Sequence, residues 1–398
     1  MKKKSWVKQR HQVFHTLLKP LVKVYLHIVL KIKLAKYKLR KDENVLVLSN
    51  HQTDFDPIFI SACYNKPFYM VATDSVFSNK IGSALLNYFF APIPKKKGIS
   101  DPSCIKTIMK VAKEKGNICI FIEGNRTYAE FQYYIDESVS KLIKVLKMPL
   151  VLMNISGGTG VLPRFTNKKR KGLIDVRTVK RLEYEEYKDY SDAMLLEIIK
   201  DNLRVYDSES NKVFKSRKRA EYLERMFFVC PICNKTQSLY SKNEYLHCTN
   251  CNLKVEYTED LHLKSENKNF TFSILNDWYQ YQKKWCLNSS FLENDTIFID
   301  QEVKLFISQV NKPRKKLVKG TLKLTGSELI FDDKIKFDIK EIVIASVLSG
   351  RKFNFSTENE NYLVIGNKRF NPLKYVLMFN KLPTHMNEKQ IDKYYTLN

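Results

Sequence analysis

The sequence predicts an α/β domain with a mixed sheet flanked by helices and an N-terminal amphipathic helix. A small four-cysteine module and a C-terminal β-rich, barrel-like domain with a terminal helix follow. Three observations lead there. Short apolar runs alternate with helix-length segments through the first half of the chain. Four cysteines fall into two Cys-x2-Cys pairs between Cys230 and Cys251. After Leu292 the pattern changes to alternating strands. The 398 residues allow two or three domains, at roughly 150 residues each. The expected division is a basic arm over 1–40, an α/β domain over 41–210, a helix and cysteine module over 211–260 and the β-rich domain over 261–398.

Composition narrows the field. Hydrophobic residues at 44% and charged residues at 28% exclude wholesale disorder. The net charge of +26 suggests an anionic partner, although only 14 of the 68 basic residues are Arg, a bias that lysine drift in composition can produce. Thirteen Lys and Arg precede the first acid, Asp42, so half the net charge lies in a tenth of the chain. The start lacks the apolar core and cleavage site of a secretory signal. Lys19, Lys23, Lys31 and Lys33 interrupt Leu17–Leu34, so no membrane span is expected there. The cysteines are accordingly expected as reduced thiols or metal ligands.

At helical period, Leu18, Leu21, Val22, Tyr25, Ile28, Val29 and Ile32 form one apolar face, edged by Lys19, Lys23, His27 and Lys31, with Pro20 in the first turn. Such a helix suits a membrane surface or docking on the protein's own core, and periodicity leaves both open. Val45–Leu48 reads as a buried strand leading to Asn50-His51 and on to Asp56-Pro57, with Asp56 as N-cap of a helix over 58–63. A second unit repeats this logic. A helix over 100–115 stops at Gly116, a strand over 117–122 follows, and Glu123-Gly124-Asn125-Arg126 closes it. Met148–Ile155 forms a further strand, and Ser191–Leu203 a helix. A polar linker is expected around Asp207–Lys212 and a helix over Lys215–Met226. Strands are expected at 296–299, 302–307, 320–324 and 329–331, with a closing helix over 372–381.

Chemistry enters at the strand ends. In His51-x4-Asp56 the carboxylate can fold back onto the imidazole, fix its tautomer and make it a general base for a hydroxyl, although Asp54 could compete and Asp56 could simply cap a helix. Gly124 lets backbone approach a ligand, Arg126 can grip phosphate with two N–H groups, and Glu123 can pair with Arg126 or bind a substrate hydroxyl.

The ordered pair of motifs resembles the glycerolipid acyltransferases typified by 1-acylglycerol-3-phosphate acyltransferases. The family's Asn-His-x4-Asp stands as Asn50-His51-Gln-Thr-Asp-Phe-Asp56, and its Phe-Pro-Glu-Gly-Thr-Arg-Ser as Phe121-Ile-Glu123-Gly124-Asn125-Arg126-Thr127. Its intervening basic motif resembles Pro92-Ile-Pro-Lys95-Lys96-Lys97-Gly98, and its hydrophobic-Pro element Met148-Pro149-Leu150-Val151. The resemblance covers roughly residues 15–205. It implies that His51 deprotonates the acceptor hydroxyl, Asp56 orients it, and Glu123 and Arg126, with Gly124 and lysines among Lys95, Lys96 and Lys97, bind the acceptor's glycerol phosphate. The implied donor is a thioester of coenzyme A or acyl carrier protein, and the implied product phosphatidate. Ile122 in place of Pro and Asn125 in place of Thr leave the acceptor open to another lysophospholipid or a lipid alcohol.

Cys230-Pro-Ile-Cys233 and Cys248-Thr-Asn-Cys251 supply four thiolates suited to a structural Zn²⁺, in a module that resembles a zinc ribbon. His247 is surplus to that set, and Cys63, Cys104, Cys119 and Cys286 read as core residues. The strands and helix at the C-terminus resemble a pleckstrin-homology or other lipid-binding barrel. The aromatic run Trp278, Tyr279, Tyr281 and Trp285 reads as helix packing. The partners expected are a lysophospholipid, an anionic membrane surface and the acidic acyl carrier protein, placing the protein peripherally on the cytoplasmic face of the membrane. A zinc-ribbon nucleic-acid-binding protein is the competing reading from another class, and no groove-reading or stacking motif accompanies its charge.

Overall fold

The computed structural model describes residues 5–73, 80–95, 101–308, 314–379 and 381. The chain forms two units: residues 1–127, 131–161 and 171–207 make the first, and residues 128–130, 162–170 and 208–398 the second.

In the first unit α1 (Gln9–Leu30) leads to β1 (Ile32–Leu34), β2 (Leu46–Ser49), α2 (Asp56–Cys63), β3 (Phe68–Thr73), α3 (Lys80–Phe89) and β4 (Ile93–Lys95). Then come α4 (Pro102–Lys113), β5 (Asn117–Phe121), α5 (Ser138–Leu146), β6 (Leu150–Ser156), α6 (Gly158–Val161), β7 (Ile174–Leu182), α7 (Tyr184–Tyr187) and α8 (Asp192–Leu203). The sheet order is β1-β7-β6-β2-β5-β3-β4, parallel at every junction except β6–β7. Central β2 is buried along its whole length, as a strand covered on both faces must be. On one face Cys104, Ile108 and Val111 of α4, Ile143 of α5 and Leu195, Ile199 and Leu203 of α8 pack on Leu46, Leu48, Ile118, Leu150 and Leu152. Helices α1 and α2 pack against β1, and α2 also meets β7.

Several local expectations change. Helix α1 begins at Gln9, nine residues before the expected face, so Pro20 lies inside it. The earlier start changes the charge count: between Val13 and Leu30 only Lys19 and Lys23 carry full charge, and the helix is long and apolar enough to cross a membrane. Its two sides are both specialised. His11, Leu26 and Leu30 are buried, Lys19 Nζ donates to the Tyr64 carbonyl, and Phe14 stacks on Phe89 at 4.1 Å. Opposite them Val13, Leu17, Leu21, Val24 and Ile28 recur every three or four residues and are exposed. The helix thus docks by one side and shows an apolar stripe on the other. At the end of α4 it is Lys115 that takes the left-handed conformation (φ 59°). Gly116 is there for space, since a Cβ would sit 2.6 Å from Val111 Cγ1. Asp207 is no solvated linker but fully buried, accepting from Gly157 N at 2.6 Å.

In the second unit β8 (Leu239–Lys242), β9 (Tyr245–Cys248), β10 (Lys254–Tyr257) and β11 (Leu263–Lys264) form an antiparallel sheet in the order β11-β10-β9-β8, followed by α9 (Leu275–Asn288). A larger antiparallel sheet takes β12 (Phe298–Ile307), β13 (Lys315–Leu324), β14 (Glu328–Phe331), β15 (Ile335–Asp338), β16 (Ile344–Ser349), β17 (Lys352–Ser356) and β18 (Asn361–Ile365), and α10 (Pro372–Phe379) closes it. Its order is β15-β14-β13-β12-β18-β17-β16. Were it flat, β15 and β17 would lie about 24 Å apart at the usual ~4.8 Å strand spacing. Phe337 and Phe355, one from each, have ring centroids 5.1 Å apart, so the sheet is strongly curled around an aromatic core. The two strands expected at 296–307 are one strand, bulged between Asp300 and Val303 where Glu302 is left-handed. The helix expected over 215–226 is absent. Tyr222 at φ 73° breaks it, and only a 3₁₀ turn at Leu223–Arg225 remains. Trp278 of α9 stacks on Phe227 at 4.6 Å and donates from Nε1 to the Val229 carbonyl, so the aromatic run is packing.

Docking of α1 carries a pH dependence. His15 Nε2 meets the Ser61 carbonyl at 3.1 Å and His11 Nδ1 the Tyr69 hydroxyl at 3.0 Å, while His15 Nδ1 is buried with no hydrogen-bond partner among the described residues. Burial, then Arg10 and Lys8 beside His11 and Lys19 and Lys23 beside His15, holds both imidazoles below the ordinary 6.5. The folded state therefore binds these protons less readily than the unfolded state. The docking contribution is fully present above pH 6.5 and is lost as pH falls below it. Amide exchange across residues 9–30 should accelerate between pH 7 and 5 after correction for intrinsic rates, and His15→Asn should flatten that dependence.

Candidate functional site

The two sequence motifs meet because their strands are neighbours. β2 and β5 pair in parallel with Ser49 opposite Phe121, so Asn50–Asp56 and Glu123–Arg126 leave the same end of the sheet side by side. β6 flanks β2 on the other side with Met153 opposite Ser49, bringing Gly157–Thr159 to that end too.

The Asn50–Asp56 loop is wound around one carboxylate. Asp56 Oδ2 accepts from His51 Nδ1 at 2.8 Å, Gln52 N at 2.6 Å and Thr53 N at 2.9 Å, and Oδ1 accepts from the Thr53 hydroxyl at 2.6 Å. Asp56 is fully buried. It is the first residue of α2, with Phe55 at the N-cap, so its carboxylate turns back on the preceding turn and caps no helix. His51 stacks on Phe121 at 4.4 Å and its carbonyl accepts from Thr127 N at 2.9 Å. Asp56 accepts a hydrogen bond from Nδ1–H, which keeps the proton on that nitrogen and leaves Nε2 as the basic one. His51 retains 19% of its side-chain surface, enough for a small group to reach it. On the far side the Asn50 side chain both donates to the Ile155 carbonyl and accepts from Ile155 N, each at 2.8 Å, and Gln52 Oε1 accepts from Gly158 N at 2.8 Å.

In the second loop Gly124 adopts φ 61°, the left-handed turn its motif position needs. Glu123 is buried and its Oε2 accepts from Tyr133 N at 3.0 Å. Arg126 Nη1 donates to Asp54 Oδ2 at 2.8 Å. Asp54 thus serves Arg126, not His51. Lys95 lies exposed at the end of edge strand β4, two strands from β5, while Lys96 and Lys97 are outside the described residues. Cys119, on β5, is buried, and burial with Asp56 nearby pushes its thiol up, so it stays protonated. Burial likewise raises Cys63 to about 12 and Cys104 to about 11.

Apart from this site, the sulfurs of Cys230, Cys233, Cys248 and Cys251 lie within 4.8 Å of one another, with Cys230–Cys251 at 3.6 Å and Cys233–Cys248 at 3.7 Å. Four thiolates around a metal at ~2.3 Å have sulfur–sulfur separations of about 3.8 Å, so the set fits a tetrahedral ion. Each knuckle closes identically: Asn234 and Asn252 are left-handed, and their N–H groups return to the carbonyls of Cys230 and Cys248. An Asn after each Cys-x2-Cys was the sequence signal for that turn.

Residues 31–158 match the family model described as Acyltransferase, a span that contains His51, Asp56, Glu123 and Arg126. No curated protein matches the chain. Among solved structures, the chain is similar to the crystal structure of the 1-acyl-sn-glycerophosphate (LPA) acyltransferase PlsC from Thermotoga maritima. The two are 13% identical with a TM-score of 0.41, over 50% of this chain and 81% of that one.

Asn50→Asp tests the cross-strand tie. It sets an acceptor against the Ile155 carbonyl and should cost about 1–3 kcal/mol in urea unfolding.

Proposed function

We propose that this protein transfers a fatty acyl group from a thioester donor to the free hydroxyl of 1-acylglycerol 3-phosphate, giving phosphatidate. The observation that carries the reading is the buried, fourfold-bonded Asp56 holding His51 Nδ1 at 2.8 Å, within a span that matches the Acyltransferase family model. In this reaction His51 Nε2 accepts the hydroxyl proton as the oxygen attacks the thioester carbonyl. The carbon–sulfur bond then breaks, and the thiolate of coenzyme A or acyl carrier protein leaves with the proton that His51 returns. Asp56 keeps the tautomer and stabilises the imidazolium between the two transfers. Gly124, Glu123 and Arg126 face the acceptor's glycerol phosphate, and Lys95, at the end of β4, is a further basic group for it.

Access to lipid follows from α1. Its exposed stripe of Val13, Leu17, Leu21, Val24 and Ile28 is continued by exposed Leu85, Tyr88 and Phe90 around α3, where Phe14 meets Phe89 and Phe90. This apolar surface suits an in-plane seat on the cytoplasmic face of a membrane, with flanking lysines on anionic headgroups. Cys230, Cys233, Cys248 and Cys251 would hold Zn²⁺ as a structural ion that fixes the fold of its module.

Purified protein given acyl-coenzyme A or acyl carrier protein thioesters and a panel of lysolipids should release thiol fastest with 1-acylglycerol 3-phosphate. His51→Ala should lower kcat by about 10²–10⁴-fold. Acylation of no lysolipid, or a wild-type rate in His51→Ala, would overturn the reading. Metal analysis should find about one zinc per chain, by the four-thiolate rule, and Cys233→Ser should lose it.

A further inference from the structure

Asp54 and Arg126 make an unequal pair. The Arg126 side chain is 13% exposed, whereas that of Asp54 is 73% exposed. Asp54 lies three residues after His51 in the loop that Asp56 and Gly158 hold rigid. Its backbone is therefore fixed, while its carboxylate reaches back to Arg126 through a single oxygen–nitrogen contact. Among the described residues Arg126 is its one ion-pair partner.

We propose that Asp54 is a built-in counter-anion that occupies the acceptor-phosphate position at Arg126 and yields it when a phosphate monoester arrives. The inference rests on the acyl-transfer reading for its substrate, though not for its electrostatics. Between turnovers Asp54 already sets a carboxylate against this guanidinium, at the place an incoming anion would take. A phosphate presents several charged oxygens to the guanidinium fork and can bind it bidentately, where Asp54 makes one contact, so phosphate wins the exchange. The displaced carboxylate swings into solvent at little desolvation cost. A ligand offering a single weak oxygen gains nothing over Asp54 and is not retained. Asp54 thereby sets a threshold for the anionic head group, trading some affinity for discrimination.

The test compares wild type, Asp54→Asn, Arg126→Gln and the double variant, with Asp54→Ser as a second neutral replacement. Two quantities are read: KM for 1-acylglycerol 3-phosphate, and the dissociation constant of inorganic phosphate by calorimetry without lipid. Neutralising Asp54 should lower both by about two- to fivefold, the span of an exposed ion pair of up to about 1 kcal/mol. In the Arg126→Gln background the same replacement should change neither. A higher phosphate dissociation constant in both neutral variants, or an unchanged one, would overturn the inference, because it would make Asp54 a support for Arg126. Failure of the wild type to acylate any lysolipid would instead remove the acyl-transfer reading, and the phosphate arm would still decide the role of Asp54. Tightened phosphate binding with an unchanged KM would overturn the acceptor assignment, since free phosphate and the lipid head group would then occupy different places.

Discussion

Everything at the candidate site is arranged around the Asp56 carboxylate. It accepts four hydrogen bonds, three of them from the two residues after His51 and one from His51 itself. A buried carboxylate is tolerable only when it is satisfied in this way. The loop between β2 and α2 has therefore folded around an anion, and the direction of the imidazole is a by-product of closing that loop. Asn50 and Gln52 then clamp the same loop to β6 and its following turn, so the histidine is referenced to three adjacent strands and not to a flexible connection. Replacing the charge would leave four donors facing a weaker acceptor, and the position of His51 would no longer be determined.

What could be read in the sequence follows from how far apart the interacting residues are. His51 and Asp56 are separated by one turn, and both strand-ending motifs are contiguous, so residue type and spacing were enough to find them. The four cysteines announced themselves by their pairs. Asn50 with Ile155 and Gly157 with Asp207 are separated by 105 and 50 residues. Nothing in the local pattern marks either partner, so Asp207 looked like part of a polar linker. Lys215–Met226 failed for the opposite reason: its composition is helical, but Tyr222 is held left-handed where Ser241 Oγ accepts its N–H. Tertiary contacts overrode local propensity there.

Helix α1 shows how a periodic pattern can be correct and still incomplete. Leu21, Tyr25 and Ile28 do share a side, as their spacing implies, but that side faces outward. The protein-facing side is made from His11, Leu26, Leu30 and polar contacts to Ser61 and Tyr64 carbonyls. Docking and exposure, posed by the sequence as alternatives, are properties of opposite sides of one helix. The polar bonds on its inner side favour a helix lying along the domain over one standing away from it.

Residues 128–130 and 162–170 belong to the second unit although the first surrounds them in sequence. Arg164 donates to the Val347 carbonyl, and the Phe165 carbonyl accepts from Arg225. During synthesis these two short segments leave the ribosome long before their partners exist. Phe165 and Arg170 must wait, without their final cover, until the C-terminal sheet is made. The chain consequently has no single cut that separates its halves cleanly. A fragment ending at residue 207 would keep every residue of the candidate site and yet expose a buried phenylalanine and a buried arginine.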